Sequence, residues 1–133
     1  MEFKAQALTK IGFNHIALEV LDVERSVQFY RTLLGLRPMN RPAFDFPGAW
    51  FELGNSIELH LIGGQPLDTK LNTRSNHFAI EVQQLDAWQA WLEQNHVPSL
   101  GRKIRPDGAL QLYITDPDGY VIELCDLSKI LIA

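Results

Sequence analysis

Four side chains of this 133-residue chain, His15, Glu58, His77 and Glu123, have the types and the spacing of a divalent-cation site. They come in two matched sets. Asn14-His15-Ile16-Ala17-Leu18-Glu19-Val20 returns 62 residues later as Asn76-His77-Phe78-Ala79-Ile80-Glu81-Val82, and Ile57-Glu58-Leu59 returns 65 residues later as Ile122-Glu123-Leu124. The repeat superimposes His15 on His77, Glu58 on Glu123 and His60 on Cys125. With the two copies related by a pseudo-twofold axis, two imidazoles and two carboxylates converge near that axis. Such a mixed nitrogen and oxygen shell suits a borderline or hard divalent metal, and an octahedral ion would keep two positions for water or substrate. One such residue alone is ordinarily the polar position of a half-buried strand. The symmetric placement of both types carries the metal reading. His60, two residues from Glu58, is the alternative first-half ligand or a substrate contact. Cys125 is expected to be a small buried residue, since no helix terminus or basic partner evident in the sequence would activate its thiol.

The elements that must position these groups follow from periodicity. His15 to Val20 alternates, with Ile16, Leu18 and Val20 on one face and His15, Ala17 and Glu19 on the other, which predicts a half-buried strand. Asp22 caps a predicted helix whose Val23, Val27, Tyr30 and Leu34 recur at helical spacing and which stops at Gly35. Ala49 to Leu53 and Ile57 to Ile62 are predicted strands about a Gly54-Asn55 turn, and Pro38, Pro42 and Pro47 keep the segment before them irregular or edge-like. The second half repeats the order. A strand over His77 to Val82 leads to a helix over Asp86 to Asn95, a short strand over Ser99 to Ile104, and strands over 109–115 and 120–126. The last two flank Asp116-Pro117-Asp118-Gly119, a turn in which proline presets one dihedral and glycine permits positive φ. The unit is βαβββ, used twice, about 11–62 and 74–127, with a linker over 63–73. Each half is too small to bury much surface alone.

Composition narrows the function classes. One cysteine excludes an internal disulfide and a four-cysteine zinc site. A net charge of -4 argues against nucleic acid as the main partner. No apolar run reaches the roughly 20 residues of a spanning helix, and Met1 to Lys10 has no signal-peptide core. These features predict a soluble cytoplasmic domain with no membrane partner.

Asn14-His15-Ile16-Ala17, Asp22, Ser26, Phe29-Tyr30 and Leu34-Gly35 in the first half resemble segments of the vicinal oxygen chelate superfamily. So do Asn76-His77-Phe78-Ala79, Asp116-Pro117-Asp118-Gly119-Tyr120 and Ile122-Glu123-Leu124 in the second. That superfamily holds glyoxalases, extradiol dioxygenases, fosfomycin-resistance enzymes, methylmalonyl-CoA epimerases and bleomycin-binding proteins. The resemblance runs from Phe13 to Leu127. It implies an α+β fold in one domain, 11–127, with paired βαβββ modules forming a partly closed mixed β-sheet cavity and helices outside. It also implies that His15, His77 and Glu123 occupy the three positions shared by most metal-binding members. Glu58 then matches the fourth position, a glutamate in glyoxalase-like members. The implied cofactor is one divalent ion (Ni, Zn, Mn, Co or Fe), and the implied partners are a small-molecule substrate and a second copy in a homodimer. Two positions depart from the glutathione-using bacterial glyoxalases: Glu19 stands for their arginine and Ile62 for their asparagine. Both point to a substrate other than a glutathione thioester.

The leading expectation is a lyase or isomerase acting on a small substrate that chelates the metal through adjacent oxygens. Glu123 is then a fixed ligand, and Glu58 is the more mobile carboxylate that moves a proton. One alternative is an Fe(II) extradiol-type dioxygenase with His15, His77 and Glu123 as its facial triad, which a carboxylate at position 58 would crowd. The other is a non-enzymatic binding module resembling bleomycin-resistance proteins. Trp50, His60, Arg105 and Tyr113 are the candidate substrate contacts, Arg105 because it lies in the basic, Gly- and Pro-containing stretch Gly101 to Gly108.

Overall fold

The computed structural model describes residues 8–9, 11–64 and 76–130. Of the expected linker, only Gly63 and Gly64 fall among the described residues. The first half consists of β1 (His15–Glu19), α1 (Val23–Val27), a π-helical segment (Gln28–Leu33), β2 (Arg37–Met39), β3 (Gly48–Gly54) and β4 (Ile57–Ile62). The second consists of β5 (His77–Glu81), α2 (Leu85–Gln94), β6 (Ser99–Ile104), β7 (Leu110–Thr115) and β8 (Val121–Asp126). Each half builds one four-stranded mixed sheet, in the orders β1-β4-β3-β2 and β5-β8-β7-β6, and the sheets are not closed into a barrel. In each, the first and last strands of the unit pair in parallel while the remaining pairs are antiparallel.

The expected first helix is present but changes character midway. Asp22 caps it, its side chain accepting from the Arg25 N–H at 3.1 Å. From Gln28 the turn widens, and the Leu34 N–H donates to the carbonyl of Phe29, five residues back, at 3.1 Å. The wider turn lets the adjacent Phe29 and Tyr30 both bury, at 5% and 0% exposure. Gly35 then adopts φ +69°, a left-handed conformation that suits glycine and ends the segment.

Strand alternation divides each sheet into two faces. Leu18, Phe51, Leu59 and Leu61 of the first sheet, and Leu112, Ile114, Ile122 and Leu124 of the second, are buried with Tyr30, Leu85 and Leu92 in one core. The other faces carry the polar residues. Polar contacts add to this core in joining the halves. Tyr30 Oη donates to Asp116 Oδ2 at 2.7 Å, Ser26 Oγ to Asp118 Oδ2 at 3.3 Å, and Trp91 Nε1 to the Leu33 carbonyl at 2.9 Å. The Asp116-Pro117-Asp118-Gly119 turn is therefore not only a hairpin tip, since its two carboxylates dock the second half onto α1 and the π-helical segment.

Candidate metal and substrate site

The register of the strands fixes which chemistry-bearing groups stand together. In the first half His15 lies opposite Glu58, and Ala17 opposite His60. Across the neighbouring hairpin, Trp50 lies opposite His60 and Glu52 opposite Glu58. In the second half His77 lies opposite Val121, Ala79 opposite Glu123, and Tyr113 opposite Glu123. The structural counterpart of Glu123 is therefore His60, that of Trp50 is Tyr113, and Glu58 corresponds to Val121. This corrects the equivalence read from the repeated Ile-Glu-Leu, which equated Glu58 with Glu123 and His60 with Cys125. Glu52 pairs with Glu58 as Thr115 pairs with Val121, so both hairpin strands are offset by 63 residues between the halves (115 less 52, 121 less 58), two fewer than the 65 of the repeated Ile-Glu-Leu. A two-residue shift keeps every side chain on its face, so all the candidates still share the polar faces.

Two compact sets result. In the first, His60 Nε2 sits 2.9 Å from Glu58 Oε1, and the His60 ring is stacked between two others. His15 lies on one side at 4.1 Å between centroids, and Trp50 on the other at 3.8 Å with the rings 2° from parallel. His15 Nδ1 is 2.7 Å from Asn14 Oδ1. In the second set His77 Nε2 sits 3.1 Å from Glu123 Oε1, while Glu123 Oε2 accepts from Gln111 Nε2 at 3.1 Å. Tyr113 meets the His77 ring edge-on at 5.4 Å. The Glu123 side chain is 7% exposed and that of His77 27%, so the carboxylate is held deep and the imidazole at the rim. His77 borders a cleft of about 500 Å³ where β1 faces β5 and β8. Imidazole nitrogen within hydrogen-bonding reach of carboxylate oxygen, twice over, is a donor chemistry that a borderline divalent cation accepts. Among the described residues no three such groups gather into a single cluster. The two sets remain on separate sheets.

The other candidates are placed as follows. Trp50 and Tyr113 lie beside the two sets on the polar faces. Arg105 is engaged locally. Its Nε and Nη2 donate to the two oxygens of Asp107 at 2.9 and 2.7 Å, and the guanidinium holds the Asp107 carboxyl at about 2. Cys125 is buried, as expected, and burial and then the nearby Glu123 and Glu81 charges push its thiol up.

Sequence reasoning missed two cations. Lys103, on β6 opposite Gln111, sets its Nζ 5.8 Å from the Tyr113 ring centre. Strand alternation along β6 was enough to put it on the polar face. Arg41 lies beyond β2, with its guanidinium carbon 4.9 and 4.8 Å from the Phe44 and Phe46 ring centres. Arg-x-x-Phe-x-Phe is the pattern that could have suggested it.

Comparison with known proteins agrees with this architecture. The profile of the Glyoxalase/Bleomycin resistance protein/Dioxygenase superfamily matches residues 12–124. The chain is 29% identical over 128 residues to glyoxylase I 4 of Arabidopsis thaliana, covering 90% of this chain and 72% of that protein. It is 32% identical over 117 residues to the metallothiol transferase FosB of Staphylococcus epidermidis, covering 84% and 78%. Among solved structures, a glyoxalase family protein of Bacillus anthracis superimposes with a TM-score of 0.76 at 22% identity, over 90% of this chain and 97% of that one. The fosfomycin resistance protein FosX of Listeria monocytogenes, in a complex with Mn(II) and dihydroxypropylphosphonic acid, superimposes with a TM-score of 0.74 at 20% identity, over 87% and 92%. The two structural likenesses carry the fold.

Proposed function

Because the chain belongs to the Glyoxalase/Bleomycin resistance protein/Dioxygenase superfamily, we propose that it is a divalent-metal-dependent enzyme. In this reading it is a glyoxalase-like lyase or isomerase whose small substrate chelates the ion through adjacent oxygens. The observation that carries the proposal is the pair of imidazole–carboxylate contacts, His77 with Glu123 and His60 with Glu58, one on each polar face. The naming of two sequence relatives as a glyoxylase I and a metallothiol transferase, and the Mn(II) in the FosX complex, support a metal enzyme.

In this proposal His15, His77 and Glu123 hold the ion, and the fourth group comes from the His60–Glu58 pair. The register favours His60 as that ligand, which leaves Glu58 to orient it and to move a proton. The ion, when bound, supplies Lewis-acid stabilisation of negative charge on a substrate oxygen. Gln111 fixes one oxygen of Glu123, so that carboxylate is the rigid one. Glu58, with its side chain 25% exposed against 7% for Glu123, has room to turn toward substrate. Trp50 and Tyr113 form the aromatic walls. The two sets meet around one ion when the first-half face of one chain closes on the second-half face of another, so the proposal includes a homodimer.

Metal content and proton exchange test the reading. Purified protein dialysed against Zn(II), Mn(II), Ni(II) or Fe(II) is expected to retain about one ion per chain, and His77→Ala or Glu123→Ala to lose it. Glu58→Gln is expected to keep the ion while losing exchange of the C–H protons of hydroxyacetone in D₂O by about 10²-fold or more. Retention of no ion by the wild-type chain would reject the enzyme reading and favour a binding module. Loss of the ion from Glu58→Gln would reject the proton-moving role.

A further inference from the structure

We propose that Arg41 is the anion-recognising residue of this site, and that the substrate carries an oxyanion, a carboxylate or a phosphonate, beside its metal-chelating oxygens. The inference rests on the reading above only in placing that substrate against the His60–Trp50 stack. The binding of the anion by Arg41 is tested separately.

Three observations carry it. The β2–β3 register runs Arg37 opposite Glu52, Pro38 opposite Phe51 and Met39 opposite Trp50. Two further residues bring Arg41 opposite Gly48, and hence onto the face that bears Trp50 and His60. The guanidinium fills the place of the missing Gly48 side chain, since a Cβ built there would stand 3.0 Å from Nη2 and 3.1 Å from Nε. Position 48 is thus open for the cation one strand-period from Trp50.

Next, the guanidinium is held in place without a counter-ion among the described residues. The Phe44 and Phe46 rings, stacked on each other at 5.1 Å between centroids, pack against it, and Nη2 donates to the Phe46 carbonyl at 2.8 Å. The ion pairs among the described residues use Arg25, His60, His77, Arg102 and Arg105, and none uses Arg41.

Last, Arg41 Nε is the one buried side-chain polar atom among the described residues that finds no hydrogen-bond partner. A buried N–H left unsatisfied costs free energy, and its persistence calls for a partner that completes it. The partner fitting a fixed guanidinium edge is an oxyanion, bonded through charge-assisted hydrogen bonds. Phe44, 46% exposed, is the outer of the two rings packed on the guanidinium.

The experiment follows the Arg41 Nε–H resonance by ¹⁵N NMR, assigned by its disappearance in Arg41→Lys. Wild-type protein, Zn(II)-loaded and Zn(II)-free, is titrated with glycolate, methylphosphonate and neutral hydroxyacetone. Glycolate or methylphosphonate is expected to move the resonance, hydroxyacetone to leave it, and the anion that acts identifies the group. Arg41→Met is expected to weaken that anion about 10- to 100-fold with the hydroxyacetone affinity unchanged within twofold, and Arg41→Lys to fall between. A resonance that neither anion moves would overturn the proposal. Equal loss of glycolate and hydroxyacetone in Arg41→Met would also overturn it, by making the residue merely structural. Only the assignment of the wild-type resonance uses a variant, the charge-keeping Arg41→Lys, and the Zn(II)-free arm still reads Arg41 if the metal reading fails.

Discussion

Tyr30→Phe tests the contribution of the polar contacts that join the two halves across their shared core. Tyr30 is 0% exposed and its hydroxyl donates to Asp116 Oδ2 at 2.7 Å across 86 residues of chain. Asp116 is 5% exposed, and its other oxygen accepts from the N–H groups of Asp118 and Tyr120, both at 2.9 Å. Removing the hydroxyl leaves Oδ2 buried beside an apolar ring edge. A hydrogen bond to a charged group contributes about 1.5–3 kcal/mol, so the expected loss is about 2 kcal/mol. With an unfolding entropy of about 2.1 cal/mol/K per residue, the chain should lose about 7 °C in Tm, with an unchanged urea m-value. The loss should also depend on pH. Burial raises the pKa of Asp116 above its ordinary value, and the Tyr30, Tyr120 and Asp118 donors pull it back. A carboxyl with a raised native pKa favours folding fully below its unfolded pKa and loses that contribution as pH rises through the native one. The Tyr30 hydroxyl offsets this loss for the ionised form. The deficit of Tyr30→Phe should therefore be full at pH 7–8 and shrink as pH falls through the carboxylate range. Asp116→Asn in a double-mutant cycle should show coupling of the same sign. A Tm within about 2 °C of wild type at pH 7.5, or an equal deficit at pH 4.5, would refute the reasoning.

Two further outcomes are expected. Gly48→Ala should destabilise the chain by about 1–3 kcal/mol, because its Cβ would meet the Leu61 carbonyl oxygen and crowd the Arg41 guanidinium; an unchanged thermal midpoint would count against the packing described. Cys125 should react with Ellman's reagent at pH 8 at least about tenfold more slowly than glutathione, and at the ordinary rate in denaturant; burial and the Glu123 and Glu81 charges disfavour the thiolate, and a fast native-state reaction would contradict that.

Local patterns settled much of this protein before any coordinates. The alternation in Asn14 to Val20 and Asn76 to Val82 put His15 and His77 on polar faces. The Gly54-Asn55 and Asp116 to Gly119 turns marked the hairpins, and the repeat gave the βαβββ unit. These features depend on periods of two and about 3.6 residues and on turn chemistry, all written within a few neighbours in the chain. The π-helical widening at Gln28 was not legible, because it answers to the need of Phe29 and Tyr30 to bury together. Nor was the true partner of Glu123. A shift of two residues leaves the alternation intact, so sequence could name the face of His60 and Glu58 but not their register. The docking of Asp116 and Asp118 onto Tyr30 and Ser26, and the place of Arg41 over Gly48, were decided by tertiary structure alone. Each joins residues whose neighbourhood exists only after strands have paired and helices have packed. The sequence by itself determined the elements and the polar faces. The tertiary structure decided which groups on those faces stand within hydrogen-bonding distance, since that distance is set by pairing register and packing, which no local pattern encodes.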